Sequence, residues 1–142
     1  MRIIAFDLGS RRIGVAVSDL TGTVASPLTV VTRTRSRRED HRRLVKLIHD
    51  EEAEMVVIGL PLSLDGSEGP AARAARAEAK ALATLIDVPI ELHDERLSTV
   101  TAERSLAEAD VRGTARRNVV DKVAAAVFLQ SFLEQRRGDA VR

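Results

Sequence analysis

The chain opens with an apolar run, Ile3-Ile4-Ala5-Phe6, that ends at Asp7. Gly9-Ser10-Arg11-Arg12 reads as a turn. From Ile13 to Ser18 the residues alternate, with Ile13, Val15 and Val17 on one side and Gly14, Ala16 and Ser18 on the other. Two short strands around a glycine-containing turn predict a hairpin. Thr21-Gly22-Thr23 marks a second turn, and residues 24–31 supply a third strand that Pro27 restricts to a sheet edge. The spacing of His41, Leu44, Leu47 and Ile48 predicts a helix over residues 36–52. Met55-Val56-Val57-Ile58 is the compact run of a buried parallel strand. Pro61, Asp65-Gly66 and Gly69 mark a loop, and Pro70 opens an alanine-rich helix to about residue 86. Residues 89–93 form another short strand. Ser98 and Thr99 are N-cap candidates for a helix to about residue 109, and residues 110–114 read as a loop. Asn118 is the expected cap of the last helix, where Val120, Val123, Ala124, Val127, Phe128 and Ser131 share a face. The order βββαβαβαα implies one α/β domain over residues 1–135, with a frayed tail at 136–142. Its core is a mixed five-stranded sheet that starts with a β-hairpin and carries helices on both faces.

Composition narrows the function. The 142 residues suit a single domain, and 44% hydrophobic with 30% charged residues is an ordinary globular balance. Cysteine is absent, which excludes disulfides and thiolate metal sites. No apolar run approaches the ~20 residues of a membrane span. Asp7 also interrupts the opening apolar stretch, unlike a signal peptide. The expected location is the cytoplasm, with no membrane partner. Three Phe and no Tyr or Trp argue against a row of aromatic platforms for stacking bases. Net charge is only +1, but arginines cluster at 33, 35, 37, 38, 42 and 43, at 11 and 12, and at 112, 116 and 117. Such clusters neutralise phosphates. They equally form solvated surface, and Glu39, Asp40, Glu51 and Glu52 dilute the first one.

Three acidic positions carry candidate chemistry. Asp7 ends the first strand, at the rim of the core, where burial without a partner is costly. Asp94 and Glu95 follow the strand at 89–93, with Arg96 as a ready partner. Asp121 falls near the start of the last helix and flanks its buried face beside Ala124, Ala125 and Phe128. Each has a plain alternative: a turn cap, a solvated acid pair, or a first-turn acid on the helix dipole. Convergent carboxylates would raise one another's pKa unless a cation sat among them. Hard oxygen donors with open positions select magnesium or manganese. Two such ions clamp a phosphodiester and activate water for in-line attack. His93, beside these acids, reads as an orienting residue.

Four segments together resemble one family. Residues 6–19, Phe-Asp-Leu-Gly-Ser-Arg-Arg-Ile-Gly-Val-Ala-Val-Ser-Asp, resemble the opening motif of the YqgF (RuvX) family of Holliday-junction-resolvase-like proteins, described as pre-16S rRNA nucleases. Val57-Ile58-Gly59-Leu60-Pro61-Leu62 with Asp65-Gly66-Ser67-Glu68 is similar to the second motif. His93-Asp94-Glu95-Arg96-Leu97-Ser98-Thr99 is similar to the third, and Asp121-Lys122-Val123-Ala124-Ala125-Ala126 to the fourth. The resemblance implies a ribonuclease H-like fold with a Mg2+ or Mn2+ site on Asp7, Glu95 and Asp121, and it favours Glu95 over Asp94. It implies a nuclease for structured RNA, the 5′ end of pre-16S rRNA. Charge and position, apart from the resemblance, make Arg11, Arg12, Arg96, Arg116 and Arg117 the candidate nucleic-acid contacts. The Arg-rich segment at 33–43 and the loop from Arg112 to Arg117 are not family signatures. A resolvase of branched DNA, working as a homodimer, would use the same acids. The chain is expected to act as a monomer or homodimer. A catalytically silent nucleic-acid-binding module would use the arginines alone. A sugar kinase or actin-like ATPase shares the Asp7-Leu8-Gly9 opening, but the chain is too short for two such subdomains.

Overall fold

A computed structural model describes residues 1–94 and 113–141. The strands are β1 (Ile3–Leu8), β2 (Arg12–Ser18), β3 (Ala25–Thr32), β4 (Met55–Leu60) and β5 (Ile90–Asp94). The helices among the described residues are α1 (Arg37–Asp50), α2 (Pro70–Ala83) and α3 (Gly113–Val141). One five-stranded sheet has the order β3-β2-β1-β4-β5. β1, β2 and β3 pair antiparallel, whereas β1-β4 and β4-β5 pair parallel. The expected mixed sheet with a hairpin start is therefore present. Pro27 lies on the edge strand, where the β2-β3 register shifts between Val15 and Ala16. A missing N–H costs least there.

Side-chain alternation divides the core into two layers. On one face Ile4, Phe6, Ile13, Val15, Val56 and Ile58 pack against Leu44 and Ile48 of α1 and Ala79 and Leu82 of α2. On the other, Ile3, Ala5, Ala16, Met55 and Val57 pack against Ala125, Phe128, Leu129, Phe132 and Leu133 of α3. In the second layer Ala5 and Ala16 of the strands leave room for the large helix residues Phe128 and Phe132.

Local chemistry sets most boundaries. Ser36 caps α1 by accepting the Glu39 N–H at 3.1 Å. Pro70 occupies the first turn of α2, where its missing N–H is harmless. The last helix departs from expectation. It starts at Gly113, not at Asn118, so residues 113–114 are its opening and not a loop. The intervening Ala115, Arg116 and Arg117 favour helix and leave Asn118 no cap to make. Its buried stripe is also rotated: Leu129, Phe132 and Leu133 are buried, whereas Val123, Val127 and Ser131 are only partly covered. Regular helix continues through Val141. The helix expected at 98–109 lies outside the described residues.

Candidate active site

Parallel pairing gathers the carboxyl ends of β1, β4 and β5 at one edge of the sheet. Phe6 pairs with Ile58 and Leu60 with Asp94, so Asp7 and the end of β5 flank the end of β4. At ~4.8 Å per strand, β1 and β5 are about 10 Å apart there. Asp7 is half-buried and shares the parity of Ile3 and Ala5, so it points to the α3 side of the sheet. The turn after it is closed by Gly9, whose N–H donates to the Arg12 carbonyl at 3.0 Å.

Gly14 brings the second acid. It is the cross-strand partner of Asp7 in the β1-β2 ladder. A Cβ at Gly14 would lie 2.0 Å from the backbone oxygen of Asp121 and 3.4 Å from its Cα. Only a residue without a side chain lets α3 approach this closely. Cross-strand Cα partners are about 5 Å apart, so the Asp7 and Asp121 Cα atoms lie within about 10 Å of each other. The Asp121 carboxylate is held by Arg12: Nε donates to Oδ2 at 2.5 Å. Their side chains are 26% and 24% exposed, so the pair sits at the mouth of the site, within reach of solvent. Arg12, expected to contact nucleic acid, thus has an acidic partner here, whereas Arg11 is exposed in the adjoining turn.

At the other side of the edge, His93 lies on the α3 face. Its Nε2 is 3.3 Å from Ser131 Oγ, and its ring stands edge-on to Phe132 at a centroid distance of 5.6 Å. Burial pushes its pKa below the ordinary 6.5, against the opposing charge of Asp94. A cleft of about 340 Å3 lined by Glu91, His93, Phe132 and Arg136 opens beside it. Asp94 is exposed and has the parity of Ile90 and Leu92, which pack on the opposite face from Asp7. Glu95 and Arg96 lie outside the described residues. Arg116 and Arg117 fall in the opening turns of α3, and their side chains lie outside the description. Among the described residues, no group of three or more His, Cys, Asp or Glu is placed to hold a metal ion. Asp7 and Asp121 are the two proposed ligands that the described residues contain.

Much of the Arg-rich segment is engaged within the protein. Arg33 forks onto Glu78 of α2, with both Nη atoms 2.8 Å from its oxygens, and its Nε donates to the Gly9 carbonyl at 2.7 Å. The backbone N–H of Arg33 donates to the Arg11 carbonyl at 2.9 Å. One residue therefore grips both shoulders of the turn that follows Asp7. His41 Nε2 and Arg37 Nη1 complete the shell of Glu78 at 2.8 and 3.1 Å. Burial raises the Glu78 pKa, but the Arg33 and His41 hydrogen bonds outweigh it and hold the carboxyl below its usual range. Arg42 pairs with Glu39, and Arg43 donates to the Thr32 carbonyl. The sequence reading missed Glu78. Its signal was an acid in the buried phase of α2, between Ala75, Ala79 and Leu82.

The profile of the RuvX family, described as "Holliday junction resolvase", matches residues 1–135. A Myxococcus xanthus protein named "Putative pre-16S rRNA nuclease" is 50% identical over 137 residues, covering 96% of this chain and 90% of the relative. A relative of the same name from Paracoccus denitrificans is 47% identical over 135 residues, covering 95% and 85%. Among solved structures, Thermus thermophilus RuvC in complex with a Holliday junction substrate superposes with a TM-score of 0.62 at 17% identity, covering 97% and 96% of the two chains. The fowlpox virus Holliday junction resolvase gives a TM-score of 0.56 at 11% identity, covering 95% and 99%. These two likenesses establish a resolvase-type, ribonuclease H-like fold.

Proposed function

This chain belongs to the RuvX family, and from that premise we propose that it is a divalent-metal-dependent nuclease that hydrolyses phosphodiester bonds in structured RNA, with pre-16S rRNA as substrate, in the cytoplasm. The observation that carries the reading is the seating of Asp121 on Gly14, the cross-strand partner of Asp7. Two carboxylates from opposite ends of the chain thereby share one rim. Their oxygens suit a hard dication, and Mg2+ or Mn2+ would be held by Asp7, Asp121 and Glu95. Of the two acids at the end of β5, the family motif favours Glu95, and Asp94 has the parity of the face opposite Asp7. The bound ion supplies a lowered pKa for the attacking water and charge stabilisation for the leaving oxygen.

The chain's own residues do the rest. The turn gripped by Arg33 fixes the backbone next to Asp7. Arg11 and Arg12 at the rim, with Arg96, Arg116 and Arg117, are assigned to the phosphate backbone. A bent or folded RNA, not a stacked single strand, is the matching ligand, because the chain has no Tyr or Trp. Among the described residues no helix is long and apolar enough to cross a membrane. The test is Asp7→Asn, incubated with Mn2+ and either labelled precursor rRNA or a synthetic four-way junction. Loss of RNA cleavage with unchanged thermal stability is expected, whereas full activity overturns the mechanism. Symmetric cutting of the junction alone, by a stable dimer, selects the resolvase reading.

A further inference from the structure

Arg12 sets a positive charge directly on Asp121, one of the proposed cation ligands. A guanidinium bound to a ligand's oxygen competes with the ion that the ligand is meant to hold. Arg12 opens β2 and has the same parity as Gly14, so its side chain projects over the α3 face beside Asp7. Its Nε meets Asp121 Oδ2 at 2.5 Å, and roughly a quarter of each side chain is exposed. The contact is thus closed but accessible. A phosphate arriving from solvent reaches the same guanidinium that Asp121 holds.

We propose that Arg12 is a counter-ion gate that stores the Asp121 carboxylate when nucleic acid is absent and surrenders it when a substrate phosphate takes the guanidinium. The proposal rests on the nuclease reading above and deepens it. Asp121 has two alternative counter-charges, Arg12 or a dication, and Arg12 has two alternative anions, Asp121 or a phosphodiester. Exchange of partners links the two binding events, because each frees the group that the other needs. Such coupling is reciprocal: nucleic acid tightens metal binding by the factor by which metal tightens nucleic-acid binding. About a quarter of each side chain remains exposed, so water can take over either group as the pair opens. The gate ties dication binding at Asp121 to the arrival of substrate.

The experiment is Mn2+ titration by calorimetry on the wild type, Arg12→Gln and Arg12→Lys, each confirmed folded by thermal melting. Arg12→Gln removes the competing charge, so it is expected to bind Mn2+ about three- to tenfold more tightly than wild type. Arg12→Lys keeps a charge within reach of Asp121 and is expected to stay near the wild-type affinity. A 2′-O-methyl RNA hairpin should tighten Mn2+ binding to wild type, and that gain should shrink in Arg12→Gln. Equal or weaker Mn2+ binding by Arg12→Gln overturns the gate and leaves the nuclease reading standing. Absence of Mn2+ binding by the wild type, even with the hairpin, overturns both.

Discussion

Gly14→Ala tests the contact on which the site depends. The added Cβ would lie 2.0 Å from the Asp121 backbone oxygen and 2.6 Å from its carbonyl carbon. Real Cβ contacts essentially never fall below 3.0 Å, so a gap of at least 1 Å must open. The opposing atoms are helix backbone, which has no rotamer to change. Either α3 lifts off the sheet or β2 sinks into the layer below, where Ile13 and Val15 are fully buried. Lifting α3 is the easier route, and it carries Asp121 away from Asp7. Overpacking of this kind costs about 1–3 kcal/mol. Alanine returns about 0.4–1 kcal/mol by restricting the unfolded chain. The net loss, up to about 2.6 kcal/mol, corresponds to a fall in Tm of up to roughly 9 °C for a chain of this size. A 1 Å displacement of a catalytic group costs on the order of 100-fold in rate. Activity should therefore fall far more than stability. The assays are thermal unfolding and Mn2+-dependent cleavage of labelled precursor rRNA at a temperature where the variant is folded. A variant with wild-type melting and wild-type cleavage would show that α3 does not rest on Gly14, and the placement of Asp121 beside Asp7 would be wrong.

Glu78→Ala leaves the buried Arg33 with the Gly9 carbonyl and, as its remaining acidic partner, a 3.9 Å approach to Asp40, so it should destabilise the protein by about 3 kcal/mol in chemical denaturation, and Glu78→Gln by less. Both should also lower cleavage through the loosened Gly9 turn, and wild-type stability in Glu78→Ala would refute the buried network. The imidazole of His93 should titrate below 6.5 by NMR, because burial disfavours its charged form. Its folded pKa is depressed, so the unfolded chain binds the extra proton first, and the stability His93 contributes is complete above 6.5 and lost as pH falls below it. His93→Gln should flatten that part of the pH–stability curve.

The elements that could be read from sequence were those whose signals are local. The β1-β2 hairpin follows from alternation around Gly9, and α1 and α2 from their caps and apolar spacing. Asp7 stood out because an acid ends an apolar strand, and Asp121 because it flanks Ala124, Ala125 and Phe128, all buried in the structure. The unread features are long-range. Nothing beside Gly14 in sequence distinguishes a glycine that accepts a helix 107 positions later from one that merely lacks a side chain. The start of α3 was misplaced because Gly113 and Asn118 carry the chemistry of a break and a cap, which the neighbouring helix formers override. A run of arginines likewise does not reveal which of them is buried. The partner that decides it, Glu78, lies 45 residues from Arg33.

That partner also bears on which arginines the proposed nuclease has left for its substrate. Arg33 is 10% exposed and saturated by Glu78 and the Gly9 carbonyl. Arg37 leans on the same carboxylate, Arg42 is paired with Glu39, and Arg43 holds the end of β3. The densest basic stretch in the sequence is therefore largely spent on the α1-α2 side of the sheet, where it supports the turn after Asp7 from behind. Asp7 faces the opposite side, with Arg12 and the N-terminal half of α3. A phosphate must reach that side to meet the carboxylates. Under the proposed mechanism, the densest positive charge in the sequence therefore lies away from the carboxylates, and the sparser pair Arg11 and Arg12 lies beside them. Charge reversal at Arg35 or Arg38, both exposed on the α1 side, should accordingly weaken RNA binding less than charge reversal at Arg11.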